Sequence, residues 1–220
     1  MRDESRQKVL GAAIDLFLQV GPRACSMRQI AQKAGLSLGN AYYHFPSKDH
    51  LIQAIYGQMH LEQVQQGAAA LEKAERWQDR LRISLEAYLE AIQPYRHFAP
   101  ELMSMAASPS SALNPFSPES APIRKACFEH YQRVLAPMQK KTLPFWIVCL
   151  TWCFQMGLTV FWTYDTSRQQ TQTRKLLQIC LPFLIWFIQA AKVPGTRTFL
   201  KPITQFLGHF EGSPDVSKNG

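Results

Sequence analysis

Ser26-Met27-Arg28-Gln29-Ile30-Ala31-Gln32-Lys33-Ala34-Gly35-Leu36-Ser37-Leu38-Gly39-Asn40-Ala41-Tyr42-Tyr43-His44-Phe45-Pro46 is the stretch on which the fold turns. Ser26, with Gln29 three residues on, has the form of a capping box and starts a helix. Ile30, Ala31 and Ala34 make its inner face, and Gly35 ends it. Ser37 starts a second, very short helix, which has to end at Phe45 because the residue before a proline is pushed out of helical geometry. Ala31 permits close approach of the two helices, and Gly35 supplies the unusual backbone angles of the turn. At about 100° per residue, Leu38, Ala41 and Phe45 gather on the inner side of the second helix. Gly39, Asn40, Tyr43 and His44 then point outward, with Tyr42 at the border. The spacing is that of a helix-turn-helix. Its outer surface offers a small residue for close approach, an amide and an imidazole for hydrogen bonding, and phenols suited to phosphates and thymine methyls. Spacing alone is equally compatible with an ordinary helical corner carrying exposed aromatics.

Helical punctuation continues on both sides. Val9, Ala13, Phe17 and Val20 mark one face of a first helix that Gly21-Pro22 stops. Ser47 caps a further helix, with Asp49 in its first turn and Leu51, Ile52, Ile55 and Met59 on its apolar side. Helices follow near 77–92 and 96–106, then a Pro- and Ser-dense connection over 108–122 that reads as either a solvated loop or a lid. Helical pattern resumes over 123–140, 142–164 and 169–191. The tail has Pro194-Gly195, Pro202 and a Gly/Ser/Pro/Asn ending. The expected fold is all-α, a head of three to four helices and a larger helical body, about nine helices in total. The division expected is 1–48, 49–192 and a tail of 193–220.

The 220 residues carry 24 Lys plus Arg against 16 Asp plus Glu, a net charge of +8, which suits an acidic partner such as nucleic acid or an anionic membrane. With 46% hydrophobic residues, there is material for a core, and disorder is excluded for most of the chain. The charged start, Arg2-Asp3-Glu4-Ser5-Arg6, has no signal-like apolar stretch, so a cytoplasmic location is expected. Cys25, Cys127, Cys149, Cys153 and Cys180 are odd in number and contain no C-x-x-C pair. His50, His60, His97, His130 and His209 are scattered. Neither set has metal-ligand spacing, and no metal or cofactor is expected. Gly35-Leu36-Ser37-Leu38-Gly39 satisfies G-x-S-x-G, but a nucleophile elbow needs a strand before the serine, and helix precedes it here. The uncharged stretch Thr142–Tyr164, after Lys140 and Lys141, is long enough to cross a bilayer and admits a membrane reading. A helix apolar nearly all round is equally a core or interface helix.

Ser37-Leu38-Gly39-Asn40-Ala41-Tyr42-Tyr43-His44-Phe45-Pro46-Ser47-Lys48 resembles the recognition-helix signature of the TetR family of one-component transcriptional regulators. The resemblance extends back through Ser26–Ala31 and the first helix, over about residues 5–55. Ala41 is smaller than the branched residue usual in the family, and Gln29 replaces a commoner acidic one; both bear on packing or capping. The resemblance implies DNA contact by Ser26, Arg28, Ser37, Gly39, Asn40, Tyr42, Tyr43, His44 and Lys48. Arg28 would reach a phosphate or guanine edge, Gly39 and Asn40 would approach bases, and Lys48 would add its charge to free N–H groups at a helix start.

It also implies a body with two duties, sensing and dimerisation through its last two helices. Cys149, Cys153 and Gly157 form a small-residue ridge that would let helices cross closely, or would face the subunit's own core. Tyr88, Phe98, Met103, Phe128, Tyr131, Trp152, Gln155 and Met156 are candidates to line an effector pocket, or are simply core. The expected partners are an operator duplex, a second copy of the chain and a small-molecule effector, with no membrane and no enzymatic activity. The implied function is a repressor released from a palindromic operator by a hydrophobic or amphipathic effector. The alternatives are a membrane-anchored protein with a helical head, or a helical ligand carrier with no DNA role.

Overall fold

The computed structural model describes residues 2–138, 143–190 and Pro202. Expectations for Lys140, Lys141, Thr142 and Ala191, and for the tail other than Pro202, lie outside the described residues. Those residues form nine α-helices and no strand: α1 (Arg2–Val20), α2 (Met27–Lys33), α3 (Leu38–His44), α4 (Lys48–Lys73), α5 (Trp77–Ile92), α6 (Ala99–Ala106), α7 (Ala121–Val134), α8 (Phe145–Tyr164) and α9 (Thr171–Ala190). Packing divides the chain into two units, Met1–Ala69 with Glu86–Cys127, and Ala70–Leu85 with Phe128–Gly220. Tyr95, Phe98, Leu102, Ala106 and Leu113 share one apolar cluster with Val9, Phe17, Ile30, Ala41 and Leu51, which places 86–127 with the first helices.

In the first unit the short helices are held by their caps. Ser26 and Gln29 make the reciprocal capping box at the start of α2. At its end Leu36 N–H bonds Ala31 O at 3.0 Å and Gly35 N–H bonds Gln32 O at 3.1 Å, the double closure of a Schellman motif. That motif requires a left-handed residue, and Gly35 supplies it at φ 68°. Ser37 Oγ accepts from Asn40 N–H at the start of α3. Phe45 leaves the helix at φ −136° because Pro46 follows. Ser47 Oγ accepts from His50 N–H and pairs with His50 Nδ1 at 2.8 Å, so a histidine takes the third-residue place of a capping box at α4.

Prolines move three boundaries. α6 begins at Ala99 rather than near 96, because Pro100 is tolerated only in a first turn. α7 begins at Ala121, with Pro122 in its first turn, and stops at Val134 ahead of Pro137. The 108–122 connection is no loose lid. Ala112 O accepts from Gln53 Nε2 at 2.8 Å, Ser117 Oγ at 2.9 Å and Ser120 Oγ at 3.2 Å. Arg124 Nη1 donates to Pro115 O at 2.6 Å, closing the same segment onto the start of α7.

The second unit has a core of Leu81, Leu85, Tyr131, Leu135, Ile147, Val148, Trp152, Leu177 and Ile188. α8 is long and apolar enough to cross a membrane by length and composition. Its polar side chains are satisfied, with Thr151, Thr159 and Thr163 bonding the carbonyl four residues earlier. Gln155 accepts from the Tyr131 hydroxyl. Thr171 rather than 169 starts α9, since Gln169 and Gln170 have positive φ.

The turn between α8 and α9 is closed by Asp165. Its carboxylate accepts from Ser167 N–H and Oγ at 2.9 and 2.6 Å and from Thr173 N–H and Oγ1 at 2.8 and 2.7 Å. Burial by itself raises the carboxyl, but these four bonds outweigh it and hold the group at about 2, below the ordinary 3.8. The charged form is thus favoured by folding. Its stabilisation is fully present above the ordinary value and is lost as pH falls through about 2. Asp165→Asn should lose on the order of 2–3 kcal/mol at neutral pH. It should also flatten the fall in melting temperature between pH 4 and 2. An unchanged acid profile would show that another group governs it.

Candidate nucleic-acid interface

α3 is short, capped at its start and stopped by proline, so its orientation is set by the α2 turn and by Ala41 and Phe45, both buried. The outward set follows the helical spacing. Gly39 is exposed, Tyr42 and Tyr43 are 45% and 64% exposed, and His44 is half-buried with its ring edge-on to Tyr43 at 5.2 Å. A Cβ at Gly39 would meet nothing within 4 Å, so the space in front of it is open. Asn40 is half-buried, and its Oδ1 is buried with no donor beside it. Its Nδ2, a double donor, is therefore the end suited to base acceptors such as purine N7. Arg28 is exposed on α2. The outer side of α3 thus carries phenols, an amide and an imidazole, and α2 adds an exposed guanidinium.

Two of the nominated residues have other duties. Lys48 does not present a free ammonium: Nζ donates to Pro22 O at 2.7 Å, Cys25 O at 3.0 Å and Arg23 O at 3.3 Å. Three donors meet three carbonyls, and the side chain ties the start of α4 to the α1–α2 loop. Ser26 uses its hydroxyl proton on Gln29 Oε1 at 2.8 Å, leaving none for a phosphate. Ser37 is exposed, with Oγ accepting from Asn40 N–H. The α1–α2 loop is also held from α6. Glu101 Oε1 accepts from Arg23 N–H at 2.6 Å, and Arg23 Nη2 donates to Ser104 Oγ at 2.8 Å. Gly21, at φ 81°, takes a left-handed conformation that other residues rarely adopt, and a Cβ there would also displace the Glu101 carboxylate that holds this loop.

The pocket candidates separate. Phe128, Tyr131, Trp152, Gln155 and Met156 belong to the second unit, where Phe128 meets Phe145 and Trp152 edge-on at 5.2 and 5.5 Å. His130 lies beside Tyr131 and bonds Ser84 Oγ through Nε2 at 2.8 Å, a buried polar pair that the sequence pattern did not single out. Tyr88, Phe98 and Met103 belong to the first unit. Phe98 is core of the head, edge-on to Phe17 at 5.7 Å and Tyr95 at 6.0 Å, rather than a pocket wall. The Cys149–Cys153–Gly157 ridge does not form one outward row either: Cys149 is fully buried, Cys153 half-buried and Gly157 exposed. The exposed apolar row is instead Val160, Phe161 and Tyr164 on α8, with Ile179, Phe183 and Trp186 on α9, each of these last three more than 60% exposed. Their spacing was present in the sequence, but a helix with apolar residues on every side does not disclose which side is outermost.

A family model described as "Bacterial regulatory proteins, tetR family" matches residues 9–55. A second, "Tetracyclin repressor-like, C-terminal domain", matches residues 80–197, more than half of the chain. The chain belongs to the TetR family. Among curated relatives, the HTH-type transcriptional activator FasR of Mycolicibacterium smegmatis is 37% identical over 93 residues, 42% of each chain. The HTH-type transcriptional regulator SrpR of Pseudomonas putida is 38% identical over 53 residues, 24% of this chain and 25% of that protein. The chain thus spans less than half the length of these relatives. A crystal structure of the TetR transcriptional regulator from Nitrosomonas europaea ATCC 19718 shares the fold, with a TM-score of 0.64 at 19% identity, covering 82% of this chain and 98% of that one. TetR regulators are helix-turn-helix transcription factors, not enzymes. They bind DNA, typically dimerise and respond to effectors, and are in general cytoplasmic.

Proposed function

We propose that this TetR-family chain is a homodimeric, effector-responsive regulator that binds a palindromic duplex. The observation that carries the reading is the outer face of α3, where Asn40, Tyr42, Tyr43 and His44 surround the open space at Gly39. Two such helices, about 34–36 Å apart, fit successive major grooves. The exposed row on α8 and α9 supports pairing through those helices, since contiguous exposed apolar side chains mark association surfaces. The Phe128, Phe145 and Trp152 rings near Tyr131 and Gln155 suit an apolar effector with a hydrogen-bonding group. An effector that favours one spacing of the recognition helices loosens DNA through its differential affinity for the two states. We read the outcome as repression in the cytoplasm, whereas the relative FasR is named an activator.

Selection of bound sequences from random duplex DNA tests this reading. It should enrich palindromes, with log K falling against log salt by about 0.9 per phosphate contact. Asn40→Ala should relax sequence preference by roughly 1–3 kcal/mol at one base pair of each half-site and leave the salt slope alone. No enrichment, or a slope near zero, would remove the DNA-binding reading.

A further inference from the structure

α3 contains no Lys or Arg, so the attraction of this head for phosphate has to come from neighbouring helices. Most of the nearby cations are already engaged. Lys8 pairs with Glu4 at 2.9 Å and Lys33 with Asp15 at 3.6 Å. Arg23 is held by Glu101 and Ser104, and Lys48 by three carbonyls. Arg6 and Arg28 differ: among the described residues no carboxylate or carbonyl takes their guanidinium N–H groups. Arg28 is exposed on α2. Arg6 comes from α1, and its guanidinium carbon sits over the Phe45 ring, 5.1 Å from the centroid. Phe45 is buried on the inner side and is the residue at which α3 stops, directly after His44.

The ring face attracts the cation and restrains it without using its N–H donors. Arg6 is therefore a cation held near the end of the recognition helix, with its guanidinium N–H groups left to donate. Such a group fits a backbone phosphate bidentately. It carries no geometry for a base edge, since nothing on α1 places it in the α3 groove.

We propose that Arg6 is a further DNA-binding residue, gripping a backbone phosphate beside the groove that receives α3. The assignment rests on the reading that α3 enters that groove. Arg6 adds affinity and orientation rather than sequence preference, and its two copies in a dimer contribute two contacts.

The test is a salt titration of wild type, R6Q, R6K and R28Q on the duplex enriched from a random library and on a scrambled duplex of equal length. R6Q should make the slope of log K against log salt shallower by about 1.8 per dimer, and weaken both duplexes roughly tenfold or more. R6K keeps the charge and should keep the wild-type slope, even if loss of stacking lowers its affinity. An R6Q slope equal to wild type, with R28Q shallower, overturns the role of Arg6 and leaves the α3 reading standing. An R6K slope as shallow as that of R6Q also overturns it, because the effect would then come from support of Phe45 and not from charge. Failure of the wild type to bind any duplex overturns the reading of α3 and this proposal together.

Discussion

Phe183→Glu should give a chain that folds as before and no longer pairs. Phe183 is 67% exposed in the protomer, between Ile179 and Trp186 on α9, so a carboxylate there meets water and costs the isolated subunit little. In a symmetric interface the same carboxylate is buried twice and unpaired, which costs on the order of several kcal/mol. Sedimentation should show a monomer at micromolar concentration with an unchanged helical spectrum. Operator affinity should drop about 10²–10⁴-fold, because the two heads no longer bind as one linked unit. Gly157→Glu is a second probe, since a Cβ there meets nothing within 4 Å and the protomer accommodates it. Phe183→Glu protein that stays dimeric and binds its duplex normally would move the interface off the exposed face of α9.

Lys48→Ala should act on the fold of the head before it acts on DNA. It removes the ammonium that satisfies Pro22 O, Arg23 O and Cys25 O and leaves the α1–α2 loop without its tie to α4. Hydrogen bonds to a charged group contribute roughly 1.5–3 kcal/mol, and the stranded carbonyls add to the loss. The melting temperature should fall by several degrees, about 2–4 °C per kcal/mol for a chain of this size, and binding to all duplexes should fall with it. Arg28→Ala, exposed and without a partner among the described residues, should leave the melting temperature alone. If Lys48→Ala melted like wild type and only made the salt slope shallower, Lys48 would be a phosphate contact after all.

These two experiments separate what is local in this chain from what is not. The caps at Ser26, Ser37 and Ser47, the left-handed Gly35 and the stop before Pro46 depend on residues within a few positions of each other. The same is true of the inner and outer sides of α3, which follow from helical spacing once Ala41 and Phe45 are inside. The nine helices were legible for that reason, with errors of a few residues where Pro100, Pro122 and Pro137 restrict which turn a proline can occupy.

Sequence by itself determined the helix-turn-helix and the surface that α3 presents, because short-range hydrogen bonds and side-chain periodicity suffice for both. Tertiary structure alone decided where long or apolar side chains go. Lys48 reaches back 23 to 26 residues to its carbonyls, and Phe98 crosses to Phe17 and joins the head rather than a pocket. On α8, Cys149 is inside and Gly157 outside, although both lie on one small-residue ridge. A helix apolar on every side carries no polar face to orient it. Which side is buried follows from the shape of the neighbours it packs against, and those neighbours are far away along the chain.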